Sequence, residues 1–210
     1  MEDILDVYAQ EVDNQCPRLC FDERPILLID DVVEPLPMKE GHNKKIDYEY
    51  KRGEAVVALL AYNIDTGQRH VCITRTKTKI DYAQFLHQVI ETHYKDVPTI
   101  QLIQDNLNTH TKGSFYKAFH ADLARHYRKK IQFHFTPKHG SWLNMAEIEF
   151  SALSRQCLNR RFDSVETLEK QVKAWETQRN QKAIKIHWSF TVEHARVKLA
   201  RHYCKVFNYY

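Results

Sequence analysis

A chain of 210 residues, 43% apolar and 28% charged, is long enough for one well-filled core and has the composition of a globular protein. Its longest apolar runs are too short to cross a bilayer and no charged-then-apolar leader opens it, which sets aside a membrane protein and a secretory precursor. The net charge of +4 only tilts the balance toward a polyanionic partner.

Residues 1–8 read as a short amphipathic helix with Ile4, Leu5 and Tyr8 on one side, within a stretch (1–15) expected to be linker or the end of a preceding region. Residues 19–22 are the first strand. Residues 26–33 are apolar enough to be extended before the turn-rich Glu34-Pro35-Leu36-Pro37-Met38-Lys39-Glu40-Gly41. Residues 55–64 and 70–74 flank the turn Asp65-Thr66-Gly67 and form a hairpin. From Tyr82 the period becomes helical: Phe85, Leu86, Val89, Ile90 and His93 recur, with Asp81 placed as the cap. Residues 100–103 are a second buried strand, 114–127 a helix and 131–135 a further strand.

Pro137-Lys138-His139-Gly140 breaks the chain before a helix with Ala146, Phe150, Leu153 and Cys157 on one stripe. A helix bearing Val165, Leu168, Val172 and Trp175 follows, then another over about 191–203. This order predicts an α/β fold, a mixed sheet with helices on both faces and extra C-terminal helices. Right-handed crossovers would set the strands that lead to Asp22 and Asp105 side by side and parallel.

The five cysteines, Cys16, Cys20, Cys72, Cys157 and Cys204, are odd in number and contain no C-x-x-C pair. They read as reduced thiols of a cytoplasmic protein.

Three acids stand where acids need a reason. Asp22 and Asp105 each close an apolar run, and Glu147 opens a helix. Gathered at one sheet edge they would repel one another unless a cation lay among them, the layout of an enzyme that moves phosphodiesters with two divalent ions. Each also has a plain structural explanation. Asp22 has Arg24 within pairing reach, Asp105-Asn106 suits a turn, His110 suits a polar loop, and Asn144-x-x-Glu147 resembles a helix capping box. Glu23 should point away from Asp22, because side chains alternate along a strand. Glu149 lies about 200 degrees round the helix from Glu147, so the two cannot face one site.

Twelve histidines invite a zinc reading, through His134 and His139 or His120 and His126, but no pair has the spacing of a helical zinc site. The basic residues Arg125, Arg128, Lys129, Lys130, Lys138, Arg155, Arg160 and Arg161 flank the Glu147 helix and are either a solvated face or phosphate contacts. Trp142 either packs the turn or stacks on a base. There is no P-loop, dinucleotide fingerprint or nucleophile elbow.

Four motifs together resemble a known family: Cys20-Phe21-Asp22-Glu23, Asp47-Tyr48-Glu49-Tyr50-Lys51-Arg52, Asp105-Asn106-Leu107-Asn108-Thr109-His110 and Thr136-Pro137-Lys138-His139-Gly140-Ser141-Trp142-Leu143-Asn144-Met145-Ala146-Glu147. The chain is similar, over about residues 18–203, to the catalytic domain of DDE transposases of bacterial insertion sequences, the insertion-sequence 630 group of the Tc/mariner superfamily.

The resemblance implies a ribonuclease H-like, mixed five-stranded sheet over residues 16–162 with a helical extension over 163–210 packed on the same domain. It implies Asp22, Asp105 and Glu147 as a triad holding two Mg²⁺ or Mn²⁺ ions. It also implies cleavage of transposon ends, strand transfer of the 3′-hydroxyl into target DNA, and an active homodimer. His110, His139, Lys138, Trp142 and Arg155 are candidates to orient the acids or touch DNA. Family members read their terminal repeats with an N-terminal helix-turn-helix region, which is expected here on a longer chain or a separate protein. Two readings compete: a catalytically inactive transposase remnant that binds DNA or assembles with a full-length protein, and a metal nuclease without strand transfer.

Overall fold

Eight consecutive residues of β2 (Tyr50–Asn63), from Val56 to Asn63, are buried, which requires a strand covered on both faces. The computed structural model, which describes residues 1–43, 45, 47–201 and 203, shows what covers it. Val56, Ala58, Leu60 and Tyr62 face α1 (Glu2–Ala9), α5 (Met145–Leu153) and α6 (Val165–Gln181), with Ala195 of α7 (Val192–Lys198) at the margin. Val57, Leu59 and Ala61 face α2 (Lys79–His93), α3 (Lys112–Ala118) and α4 (Ala121–Lys130). Strand alternation thus divides the apolar residues into two cores, one on each side of the sheet.

The sheet has five strands in the order β3-β2-β1-β4-β5. β1 (Arg18–Asp31) runs antiparallel to β2, and β3 (Arg69–Thr74) closes the hairpin on β2's far side. β4 (Ile100–Gln104) and β5 (Ile131–Phe135) continue parallel to β1. The expected mixed sheet, hairpin and parallel crossovers are all present.

Several boundaries differ from the sequence reading. β1 does not stop at Asp22 but continues to Asp31, absorbing the extended segment expected at 26–33. Its pairing with β4 ends at Cys20, so the polar stretch Asp22-Glu23-Arg24-Pro25 has a strand neighbour only in β2. A proline is tolerated there because no ladder needs its missing N–H on the open side.

α2 starts three residues before Tyr82. Thr78 is its cap, and Asp81 is the third-position acid of a capping box, accepting from the Thr78 backbone N at 2.7 Å. The helix expected at 114–127 breaks where Phe119 and His120 become extended. The break lets Phe115 and Phe119 both meet the Tyr127 ring, at 5.5 and 6.0 Å. The stripe expected on the Glu147 helix is buried, but its last turn, Ser154–Leu158, is π-helical.

Residues 1–15, read as linker, carry α1, whose Ile4, Leu5 and Val7 lie in the core. The last expected helix is described as α7, with His202 and Cys204 outside the described residues. Cys16, Cys20, Cys72 and Cys157 are free thiols. No helix among the described residues is long and apolar enough to cross a membrane.

Candidate active site

Cys20 pairs with Ile103 at the end of the parallel β1–β4 ladder, and Asp22 and Asp105 each follow that last pair by two residues. Asp22 shares the face of Cys20, toward α5, and its carboxylate accepts from the Glu23 backbone N at 2.8 Å. Asp105 leaves the end of β4 and accepts from the Leu107 backbone N at 3.2 Å.

The third acid arrives by a tightly specified turn. After β5, His139 takes a left-handed φ of 63°. A Cβ on Gly140 would lie 2.6 Å from the Pro137 ring, so only glycine fits there. A short 3-10 turn, Ser141–Leu143, then leads to Asn144. The buried Asn144 side chain does two things: its oxygen caps α5 at the Ala146 N (3.1 Å), and its Nδ2 donates to the Phe21 carbonyl (2.8 Å). It therefore pins the start of α5 to the β1 residue just before Asp22, leaving Glu147 in the first helical turn.

Two expectations about Glu147 and Arg24 are corrected. Glu147 does not complete a capping box; its Oε2 accepts from Arg24 Nη2 at 3.0 Å. Arg24, on the same face of the strand as Asp22, makes no ion pair with it, because its guanidinium is taken by α5. There it also donates to Ser154 Oγ (2.9 Å) and lies over the Phe150 ring. Glu149 does face away from this group, buried against Arg69 and Arg179.

The electrostatics follow from this crowding. Burial, then the charges of Glu147, Asp105 and Glu23, raise the Asp22 pKa from 3.8 to about 7, against the hydrogen bond from the Glu23 N–H. Asp105 is lowered instead, chiefly by its hydrogen bond from His110.

A consequence can be measured without metal. Between pH 4 and 7 the folded state holds the Asp22 proton more tightly than the unfolded chain, so folding stability falls as pH rises through that window. Asp22→Asn should therefore melt several degrees above the parent at pH 8 in chelator and match it near pH 4. An equal difference at both pH values would show that the acid is not strained.

The opposite face of the sheet also serves the site, where His110, a candidate to orient the acids, meets Glu23, a partner not expected from sequence. His110 is not a surface loop residue but is 1% exposed. Its Nδ1 bonds Asp105 Oδ1 at 2.5 Å and its Nε2 sits 2.6 Å from Glu23 Oε2. The ring stacks on Tyr82 and meets Phe21 edge-on. Gln104, held by the Tyr82 hydroxyl, donates to the His110 carbonyl. Burial alone would lower the His110 pKa, but the two carboxylates outweigh it and raise it to about 9. A charged imidazolium can donate to both acids and fix the Asp105 carboxylate. The available signal was Glu23 itself, a second acid on a buried strand and therefore in need of a cation.

The remaining candidates divide. Lys138, His139 and Ser141 line, with Asp105, Asn106 and Thr136, an open cleft of about 520 Å³ beside the acids. Trp142 is 46% exposed and meets Phe190 edge-on. Arg155 is exposed, its Nε donating to the Ser151 carbonyl. Two of the basic residues are committed elsewhere: Lys130 is buried on the Lys95 carbonyl, and Arg161 ties Asp31 to the 47–49 backbone. His134 pairs with Asp3, away from His139.

The donor chemistry fits a hard divalent cation: three carboxylates, all oxygen ligands, where burial first and neighbouring negative charge second disfavour the charged form of Asp22. Arg24 supplies a single compensating charge. Among the described residues no three His, Cys, Asp or Glu side chains already close into a cage.

Among solved structures, the Mos1 transposase paired-end complex with left transposon end is similar at 15% identity and a TM-score of 0.57, covering 86% of this chain and 55% of that one. The Mos1 mariner paired end complex with Mn gives 14% identity and 0.56, covering 86% and 54%. The catalytic domain of Mos1 mariner transposase gives 13% identity and 0.56, covering 86% and 80%. The chain thus spans little more than half the length of the first two. The shared architecture is the ribonuclease H-like fold, a five-stranded mixed sheet flanked by helices. No curated protein matches the chain. A family model described as DDE superfamily endonuclease matches residues 17–169, most of the length, and the chain belongs to that family.

Proposed function

We propose that this chain is the catalytic domain of a Tc/mariner-type transposase of the insertion-sequence 630 group, cutting transposon-end DNA and joining the freed 3′-hydroxyl to target DNA. The observation that carries the reading is the convergence of three acids. Asp22 on β1 and Asp105 just after β4 each lie two residues beyond the last pair of the parallel β1–β4 ladder, and Asn144 fastens the start of the Glu147 helix to β1 beside Asp22. Asp22, Asp105 and Glu147 would hold Mg²⁺ or Mn²⁺, two ions in all. When bound, these would bring a water or 3′-hydroxyl into nucleophile range and stabilise the leaving oxygen. The Mos1 complexes solved with Mn and with Mg support that choice of metal.

The protein's own contribution is placement. His110, set between Glu23 and Asp105, keeps the Asp105 carboxylate aimed and ionised. Arg24 holds Glu147 and must yield part of that contact to a bound cation. Lys138 and His139, which line the adjoining cleft, would meet phosphates in this reading, and the exposed Trp142 and Arg155 would be further DNA contacts. The partners in this reading are DNA, a second copy of the chain, and a helix-turn-helix region on a longer chain or a separate protein. Its setting is the cytoplasm of a bacterium.

Incubation with Mg²⁺ or Mn²⁺ and a pre-cleaved end substrate tests the whole. Joined product is expected. Cutting without joining would reduce the assignment to a nuclease, and unchanged DNA would leave an inactive remnant.

A further inference from the structure

On the side of α5 turned away from Glu147, two buried guanidiniums share one carboxylate. Glu149, fully buried, accepts from Arg179 Nε and Nη2 at 3.2 and 2.9 Å and lies 2.9 Å from Arg69 Nε. Arg69 and Arg179 are themselves 0% and 8% exposed. The buried acid of α6, Glu176, is engaged by Lys173 at 2.9 Å. The cluster therefore holds one positive charge more than its carboxylate neutralises, an expensive arrangement inside a protein. Arg69 donates to Asn180 and the Ile184 carbonyl and lies over the Tyr62 ring. Arg179, whose Nη1 also donates to Gln156 Oε1 at 3.3 Å, is the one of the two that reaches a cleft.

It opens into a cleft of about 570 Å³ between the π-helical turn and α6. Arg160 and Lys182 also line it, both exposed, with Gln156, Gln171 and Gln178; no acidic side chain does. Trp175 forms part of its wall, and its indole N–H is taken by Gln156. Three cations, three amides and no carboxylate around an excess buried charge are the chemistry of an anion site. π-helical turns often mark such functional places.

We propose that this cleft is a second DNA contact, seating a backbone phosphodiester away from the carboxylate site. The inference rests on the transposase reading for its choice of DNA as the source of the phosphate. The cleft is open rather than enclosed, and its exposed cations stand at the rim, as suits a group that remains part of a long polymer.

The test uses Arg160→Gln/Lys182→Gln, which changes two exposed residues and leaves Arg179 in place. Circular dichroism and melting confirm its fold. Duplex binding should weaken about tenfold at 0.1 M salt, and the slope of log affinity against log salt should flatten by about 0.9, the value for one phosphate that is no longer neutralised. Inorganic phosphate at fixed ionic strength should raise the melting temperature of the parent and not of the variant. The rise produced by Mn²⁺ should be the same in both, which marks the carboxylate site as intact. Equal DNA affinity and slope in parent and variant would overturn the proposal while leaving the transposase reading standing. A phosphate response without a change in DNA binding would make the cleft a site for a free anion and overturn the DNA source. A parent that binds no duplex and does not respond to Mn²⁺ would instead remove the transposase reading, and this proposal with it.

Discussion

Glu147→Gln is expected to lower DNA cleavage at least about 10³-fold, with Asp22→Asn and Asp105→Asn falling as far. A carboxylate that positions a divalent ion contributes several kcal/mol to the barrier, and each 1.36 kcal/mol is roughly tenfold in rate. The same variants should lose the rise in melting temperature that Mn²⁺ gives the parent. A ligand at about 100 times its dissociation constant stabilises the state that binds it by about 2.7 kcal/mol. Folding should be spared. Glu147 loses only a partly exposed pair with Arg24, an interaction type worth about 0–1 kcal/mol, and its loss also relieves Asp22 of a repelling charge. Gel-based cleavage and melting curves, with and without metal, decide the matter. Cleavage within tenfold of the parent in Glu147→Gln would mean that this helix does not complete the site.

The parts of this fold that are local were readable from local pattern. The nearly continuous apolar run of residues 55–64, the Asp65-Thr66-Gly67 turn and the helical period after Tyr82 all correspond to observed elements. What failed was whatever depends on a distant neighbour. The run Asp22-Glu23-Arg24-Pro25 looks like a strand end because it is polar and contains proline, yet it stays extended because β2 alone suffices as its partner. His110 can be read as a polar loop residue or as a residue that orients an acid, and what decides between them, Glu23, lies on a distant strand. Asn144 reads as a cap, which it is. Its second bond, to the Phe21 carbonyl, is invisible without the fold and does more to place the site. Helical phase did separate Glu147 from Glu149, but it gave no hint of what Glu149 faces.

That partner set changes what Glu149→Gln should do. Helical phase alone predicts a variant that keeps most of its cleavage, since the side chain points away from the acids. The structure adds a large cost in folding. The amide cannot neutralise Arg69 and Arg179, which would be left as two like charges within the core. Breaking a buried pair in this way costs about 3–5 kcal/mol. At roughly 2–4 °C per kcal/mol for a domain of this size, the melting temperature should fall by about 6–20 °C. Well below its own melting point, the folded fraction should still cut DNA, which separates this variant from Glu147→Gln. Arg179→Met supplies the contrast. It leaves one guanidinium for one carboxylate, so it should cost less than half as much despite losing its contacts with Gln156 and Trp175. Urea denaturation of both variants measures the difference. Glu149→Gln within about 1 kcal/mol of the parent, or Arg179→Met as damaging as Glu149→Gln, would show that the cluster is not one positive charge in excess.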